Sequence, residues 1–135
     1  MSKINNSTLA RKPIFFERNR VYRVYKGGKL FHDFFDGQDP PEDSNEPEEW
    51  LASDVKALNK VIKTPKDGVS KVAGTDIYFD DLIKDNKKLI LGERESLGIL
   101  VKLLDSGIRL PVQAHPDKPF SRKHVHYISS LLQFG

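Results

Sequence analysis

Ile99-Leu100-Val101-Lys102-Leu103-Leu104-Asp105-Ser106-Gly107-Ile108-Arg109-Leu110-Pro111-Val112 is the stretch that decides the fold class. Two apolar runs flank a short Asp-Ser-Gly break, the pattern of paired strands joined by a turn. The second run leads into Gln113-Ala114-His115-Pro116-Asp117. Gln113 and His115 are two apart, and on a strand such residues project from one face. An amide oxygen and an imidazole side by side suit half of a metal site. On the residues alone such a pair is more often a hydrogen-bonded polar strand end, with Pro116-Asp117 making the following turn.

Upstream, several segments read as strands or core. Pro13-Ile14-Phe15-Phe16 starts ordered structure as a short strand. Val21-Tyr22-Arg23-Val24-Tyr25 alternates and ends at Gly27-Gly28. Leu30-Phe31-His32-Asp33-Phe34-Phe35 is short and aromatic, which favours strand over helix. His32 in it is read as a packed or surface histidine. Gly37 to Pro47 holds three prolines and many acids, and reads as a loop. Glu48-Glu49-Trp50-Leu51-Ala52-Ser53 reads as a strand with Trp50 as packing anchor. A functional reading would put one of its two carboxylates at a pocket wall. Val55 to Thr64 fits a strand or a short helix, and Lys66-Asp67-Gly68 a turn.

Helix is expected over Asp76 to Lys88, capped by Thr75 or Asp76, with Leu82 and Ile83 facing inward. Leu89-Ile90-Leu91-Gly92 closes that element, and Glu93-Arg94-Glu95 is a charged turn. Asp117-Lys118-Pro119 reads as a loop, and Phe120 to Leu132 as a further helix. His124 and His126 are two apart there, so on a helix they face different ways.

The 135 residues suffice for one domain with a core. Charged residues make up 30%, as in a soluble domain with a wet surface. No apolar run approaches the ~18–20 residues of a membrane span, and the first residues lack a secretory apolar stretch. With no cysteine, disulfides and thiolate zinc sites are excluded, and the cytoplasm is the expected compartment. Net charge is +3. Met1 to Lys29 carries eight Lys/Arg and one acid, whereas Asp36 to Asp54 carries eight acids and no base. These read as two solvated surfaces of opposite sign. The scattered bases do not make a nucleic-acid arm, so neither nucleic acid nor membrane is expected as a partner. There is no internal repeat, and Gly27-Gly28 lacks the rest of a nucleotide-binding fingerprint.

Leu110-Pro111-Val112-Gln113-Ala114-His115-Pro116-Asp117-Lys118 resembles the zinc-binding signature of type I mannose-6-phosphate isomerases, of the cupin superfamily. Leu100 to Asp105 is similar to the strand leading into that signature. Glu48 to Ser53 is similar to the family's Glu-x-Trp strand. Val24 to Leu30 stands where the family has a Trp-Gly-Gly segment, with Tyr25 in place of the tryptophan.

The resemblance implies a mainly β fold: a partial cupin-like jelly roll with one or two short helices. It implies a zinc-dependent aldose–ketose isomerase interconverting mannose 6-phosphate and fructose 6-phosphate, with a phosphosugar as partner. It places Gln113 and His115 among the Zn2+ ligands and Lys102 and Glu48 at the substrate, and assigns no catalytic residue here. Pro111 stands where many members have a serine.

The match runs to about Lys123, and no Glu follows Glu95 to act as the family's third zinc ligand. We therefore expect residues 1–12 to be a flexible N-terminal segment, 13–123 the N-terminal part of the isomerase domain, and 124–135 a divergent tail. A truncated or frame-shifted gene product with little activity of its own is the corresponding expectation. The alternative is a non-catalytic cupin-like module that binds a sugar or a partner.

Overall fold

A computed structural model describes residues 6–112 and 117–124. Its centre is a three-stranded antiparallel sheet of β1 (Arg20–Val21), β2 (Glu48–Leu51) and β3 (Val101–Leu104), in the order β1-β2-β3. Arg20 pairs with Glu49 and Val21 with Glu48; on the other side Glu48 pairs with Leu104, Glu49 with Leu103 and Trp50 with Lys102. Directly opposed residues share a face. Val21, Glu48, Trp50 and Lys102 therefore lie on one face, and Arg20, Glu49 and Leu103 on the other.

Five short helices surround the sheet among the described residues, where one or two were expected. They are α1 (Asn6–Leu9), α2 (Phe31–Phe34), α3 (Phe79–Asp85), α4 (Lys87–Leu91) and α5 (Lys118–His124). None is long and apolar enough to cross a membrane.

Two apolar clusters form the interior. Val72, Phe79, Leu82, Ile83 and Leu91 make the larger one, joined by Leu9, Ile14 and Phe16. The Phe16 and Phe79 rings meet edge to face, with centroids 4.8 Å apart. The smaller cluster is Val21, Trp50 and Ala57, with Leu100 against it. Trp50 is thus the anchor its strand pattern indicated. Fully buried Ser70 joins the two parts. Its hydroxyl accepts the Ser53 N–H at 2.9 Å, and its own N–H donates to the Ser53 carbonyl. Asn19 adds amide bonds to the Trp50 and Gly68 carbonyls at 3.2 and 2.9 Å.

Several expected elements take another form. Leu30–Phe35 is not a strand but contains α2. The Asp105 carboxylate accepts the N–H groups of Gly28 and Leu30, at 3.1 and 2.7 Å, where the turn begins. A side chain from a distant segment thereby satisfies donors that a helix start leaves open. Ile108–Val112 does not pair with the preceding run. The Asp105-Ser106-Gly107 break docks on Gly27 instead: Gly28 donates to the Asp105 carbonyl at 3.0 Å and Gly107 to that of Lys26 at 2.9 Å. A Cβ at Gly27 would run into the Asp105 carbonyl oxygen, so this contact requires glycine.

The helix expected over Asp76–Lys88 starts three residues late and is divided at Asn86. Thr75 caps no helix; its hydroxyl closes a tight turn with the Val72 carbonyl and the Ile77 N–H. Asn86 bonds back to the Leu82 carbonyl at 3.1 Å through its side chain, the competition with the backbone that disfavours Asn inside helices. Pro13–Phe16 forms only a bridge between Phe16 and Val72, the second strand is confined to Arg20–Val21, and Val55–Thr64 is irregular. At the other end, Asp117 caps α5 by accepting the Phe120 N–H at 2.8 Å, so that helix starts at Lys118, inside the expected loop. The rest of the helix expected to Leu132 lies outside the described residues.

Candidate functional site

β2 carries a buried glutamate on each face. Strand alternation sends Glu48 one way and Glu49 the other, and both are almost fully buried, at 3% and 2% exposure. Their surroundings differ in one decisive respect: the supply of hydrogen-bond donors.

Glu48 sits among donors. Arg23 and the Trp50 indole N–H both donate to its Oε2 at 2.8 Å, and the Tyr25 hydroxyl to Oε1 at 2.9 Å. Lys102 reaches the same Oε2 at 3.3 Å from the neighbouring strand. Burial on its own would raise the Glu48 carboxyl. The bonds from Arg23 and Trp50 and the charges of Arg23 and Lys102 outweigh it and hold the group below the usual carboxylate range. Burial, then the Glu48 charge and the bond to it, pushes the Tyr25 phenol well above its ordinary value. Arg23 is itself fixed. It donates to the Tyr22 carbonyl at 2.9 Å and to Asn59 Oδ1 at 3.0 Å, and its guanidinium carbon lies 5.1 Å from the Trp50 ring centre.

Glu49 is less well served. Its Oε1 accepts the Asn19 N–H at 2.8 Å, while Oε2 is buried without a hydrogen bond, 3.4 Å from an Arg18 nitrogen. Burial dominates here and raises the carboxyl above its usual value despite the Asn19 bond and the nearby arginines. Arg18 and Arg20 each make a closer pair, at 2.7 Å, with Asp39. They lie over the Phe35 and Phe31 rings respectively. A shallow depression is lined by Leu30, Phe31, Phe34, Leu103, Leu104 and Asp105.

Of the four residues singled out in the sequence, Glu48 and Lys102 come together on one face. Gln113 and His115 lie outside the described residues. Among the described residues, no three His, Asp or Glu side chains gather to hold a metal ion. His32 bonds the Asp39 carbonyl through Nδ1 at 2.7 Å, the packed role expected of it. His124 sits at the end of α5, its ring 4.5 Å from that of Phe120, and His126 lies outside the described residues.

Sequence reasoning did not find Arg23 or Asn59. Arg23 shares parity with Val21 and Tyr25 in an alternating run, and that spacing was the available signal for a cation on the buried face. Nothing local marks Asn59, because its partners are brought to it by the fold.

Over 114 residues the chain is 27% identical to the mannose-6-phosphate isomerase of Streptococcus mutans. The match covers 84% of this chain and 33% of that protein, so the chain spans about a third of the relative's length. No family model matches the chain, and no solved structure matches it.

Proposed function

We propose that this chain carries part of a sugar-phosphate isomerase site of the mannose-6-phosphate isomerase kind, on a partial cupin-like jelly roll that includes the three-stranded sheet. The observation that carries the reading is the likeness to the Streptococcus mutans isomerase across 84% of the chain. The pairing of Glu48 with Lys102 on one sheet face is consistent with it.

In this reading Lys102 contacts an oxygen of the phosphosugar as a compact point charge. Glu48 lies beside that lysine on the same sheet face and stays ionised. Gln113 and His115 contribute two ligands to a zinc site: the imidazole nitrogen is a donor type that suits zinc, and the amide oxygen can coordinate beside it. Zinc bound there would supply positive charge to offset the negative charge that develops on the sugar during proton transfer between C1 and C2.

The test is a coupled assay for fructose 6-phosphate formed from mannose 6-phosphate, run beside a measurement of zinc content. Turnover with stoichiometric zinc that is lost on chelation and regained on zinc addition supports the reading. Absence of both turnover and sugar-phosphate binding sinks it.

One observation favours a second reading, a non-catalytic sugar- or partner-binding module. The Glu48 carboxylate is saturated with donors and held below its usual range, which suits an anchor better than a proton carrier. Binding of mannose 6-phosphate without turnover selects that reading.

A further inference from the structure

We infer that Arg23 is a positioning residue: it takes up the charge of Glu48, so that Lys102 remains available to an anionic oxygen of a ligand. The identity of that ligand, a sugar phosphate, rests on the proposed function, whereas the network does not.

The argument starts from charge. One buried carboxylate faces two cations, Arg23 and Lys102, and both reach the same oxygen, Oε2. Their bonds are unequal. Arg23 is 2.8 Å away and Lys102 3.3 Å, the first an ordinary charge-assisted bond and the second a long one. Arg23 is also fixed at its other end. One of its nitrogens donates to both Asn59 Oδ1 and the Tyr22 carbonyl, and the Asn59 amide donates back to that carbonyl at 2.9 Å. Lys102 has a flexible stem and, among the described residues, pairs with Glu48.

With Arg23, Tyr25 and Trp50 all donating to Glu48, the carboxylate stays satisfied when the ammonium swings to a ligand. Without Arg23, Lys102 becomes the carboxylate's remaining cation. Leaving it would then expose an uncompensated buried charge, the costly outcome for a broken buried pair.

The experiment uses the full chain and four variants: R23M, K102M, R23M/K102M and R23M/E48Q. Urea unfolding is read first. K102M should unfold within about 0.5 M urea of the parent, and R23M roughly 1 M or more earlier. If K102M is as damaging as R23M, Lys102 is a structural cation and the inference is overturned.

Calorimetric titration with mannose 6-phosphate is read second. R23M should bind about tenfold more weakly than the parent. R23M/K102M should bind no more weakly than K102M alone, and R23M/E48Q should recover affinity because the carboxylate that captured Lys102 is gone. A merely structural arginine would weaken binding in the K102M background too and would not be rescued by E48Q, and that result overturns the inference. Should R23M fail to fold, R23K keeps the charge while giving up the guanidinium fork, and the same order of effects at smaller size is expected. The same titrations with inorganic phosphate keep the two readings apart: a parent that binds phosphate but not mannose 6-phosphate ends the isomerase reading alone, and a parent that binds neither overturns the availability of Lys102.

Discussion

Glu48→Gln and Glu49→Gln are the same substitution at adjacent residues of one strand, and they should have opposite consequences. At Glu48 the change removes the charge that two cations share and leaves a single acceptor oxygen for donors on Arg23, Tyr25, Trp50 and Lys102. With its oxygen toward Arg23 and Trp50, the amide turns its NH2 to the Tyr25 hydroxyl, which can rotate to accept, so the cost is chiefly the lost charge. Breaking one side of a buried ion pair costs about 3–5 kcal/mol. At about 2 kcal/mol per molar urea, this moves the unfolding midpoint down by roughly 2 M.

At Glu49 the amide oxygen can still accept the Asn19 N–H, and the NH2 replaces an oxygen that had no hydrogen bond. The loss of a 3.4 Å contact to half-exposed Arg18 is offset by removal of a buried charge, so a change within about 1 kcal/mol is expected. The pH dependence separates the two further. Glu48 is held low in the fold, so its contribution is present above the unfolded carboxyl pKa and fades as pH falls through the folded one. Glu49 is raised, so its contribution is present below the unfolded pKa and is lost as pH rises through the folded one. Glu49→Gln should therefore gain on the parent as pH rises above the ordinary carboxyl range near about pH 4, while the deficit of Glu48→Gln should shrink on acidification. Urea unfolding followed by fluorescence of Trp50, the chain's one tryptophan, reads both. Equal losses at pH 7, or a larger loss for Glu49→Gln, would refute the account of the two faces.

Three further substitutions probe how the fold supports this face. Gly68→Ala should cost about 2 kcal/mol or more, because φ is +87° and the added methyl would meet the Ala57 nitrogen at 2.5 Å and the Trp50 ring at 2.8 Å; thermal unfolding checks it. Leu82→Ala empties a fully buried position between α3 and the larger cluster, for an expected loss of about 2–5 kcal/mol in denaturant titration. Asp105→Ala removes the acceptor for the Gly28 and Leu30 amides and should cost about 1–2 kcal/mol, with faster hydrogen exchange at Leu30 as its local sign.

The contrast between β2 and α2 explains which parts of the fold were legible in the sequence. Glu48-Glu49-Trp50-Leu51 was readable as a strand through Trp50, although Glu is a poor β former, and its partners on both sides supply the pairing that holds it extended. Leu30–Phe35 carries stronger β formers, yet one carboxylate some 75 residues away in sequence caps it into a helical turn. Local propensity spans about 1 kcal/mol, so a single well-placed charge-assisted bond overrides it. The same reasoning applies to Ile108–Val112, whose apolar pattern promised a hairpin. The Asp105-Ser106-Gly107 turn spends its backbone groups on Gly28 and Lys26, so the chain does not fold back along β3.

The site divides along a similar line. Glu48 and Lys102 could be singled out because the strand segments that carry them resemble those of the isomerase family, which local pattern alone does not mark. Their meeting depends on the register Trp50↔Lys102, which no local pattern states. Register also decides what Glu48 is for. Shifting β3 by one residue would carry Lys102 to the Glu49 face, where one carboxylate oxygen lacks a hydrogen bond, and would turn an apolar side chain toward Glu48. Arg23 would then be the single cation on the carboxylate, and the spare ammonium would sit beside Arg18, Arg20 and Asp39 instead. The chemical character of each face is thus set by strand pairing, and the adjacent glutamates differ only through the partners that pairing brings them.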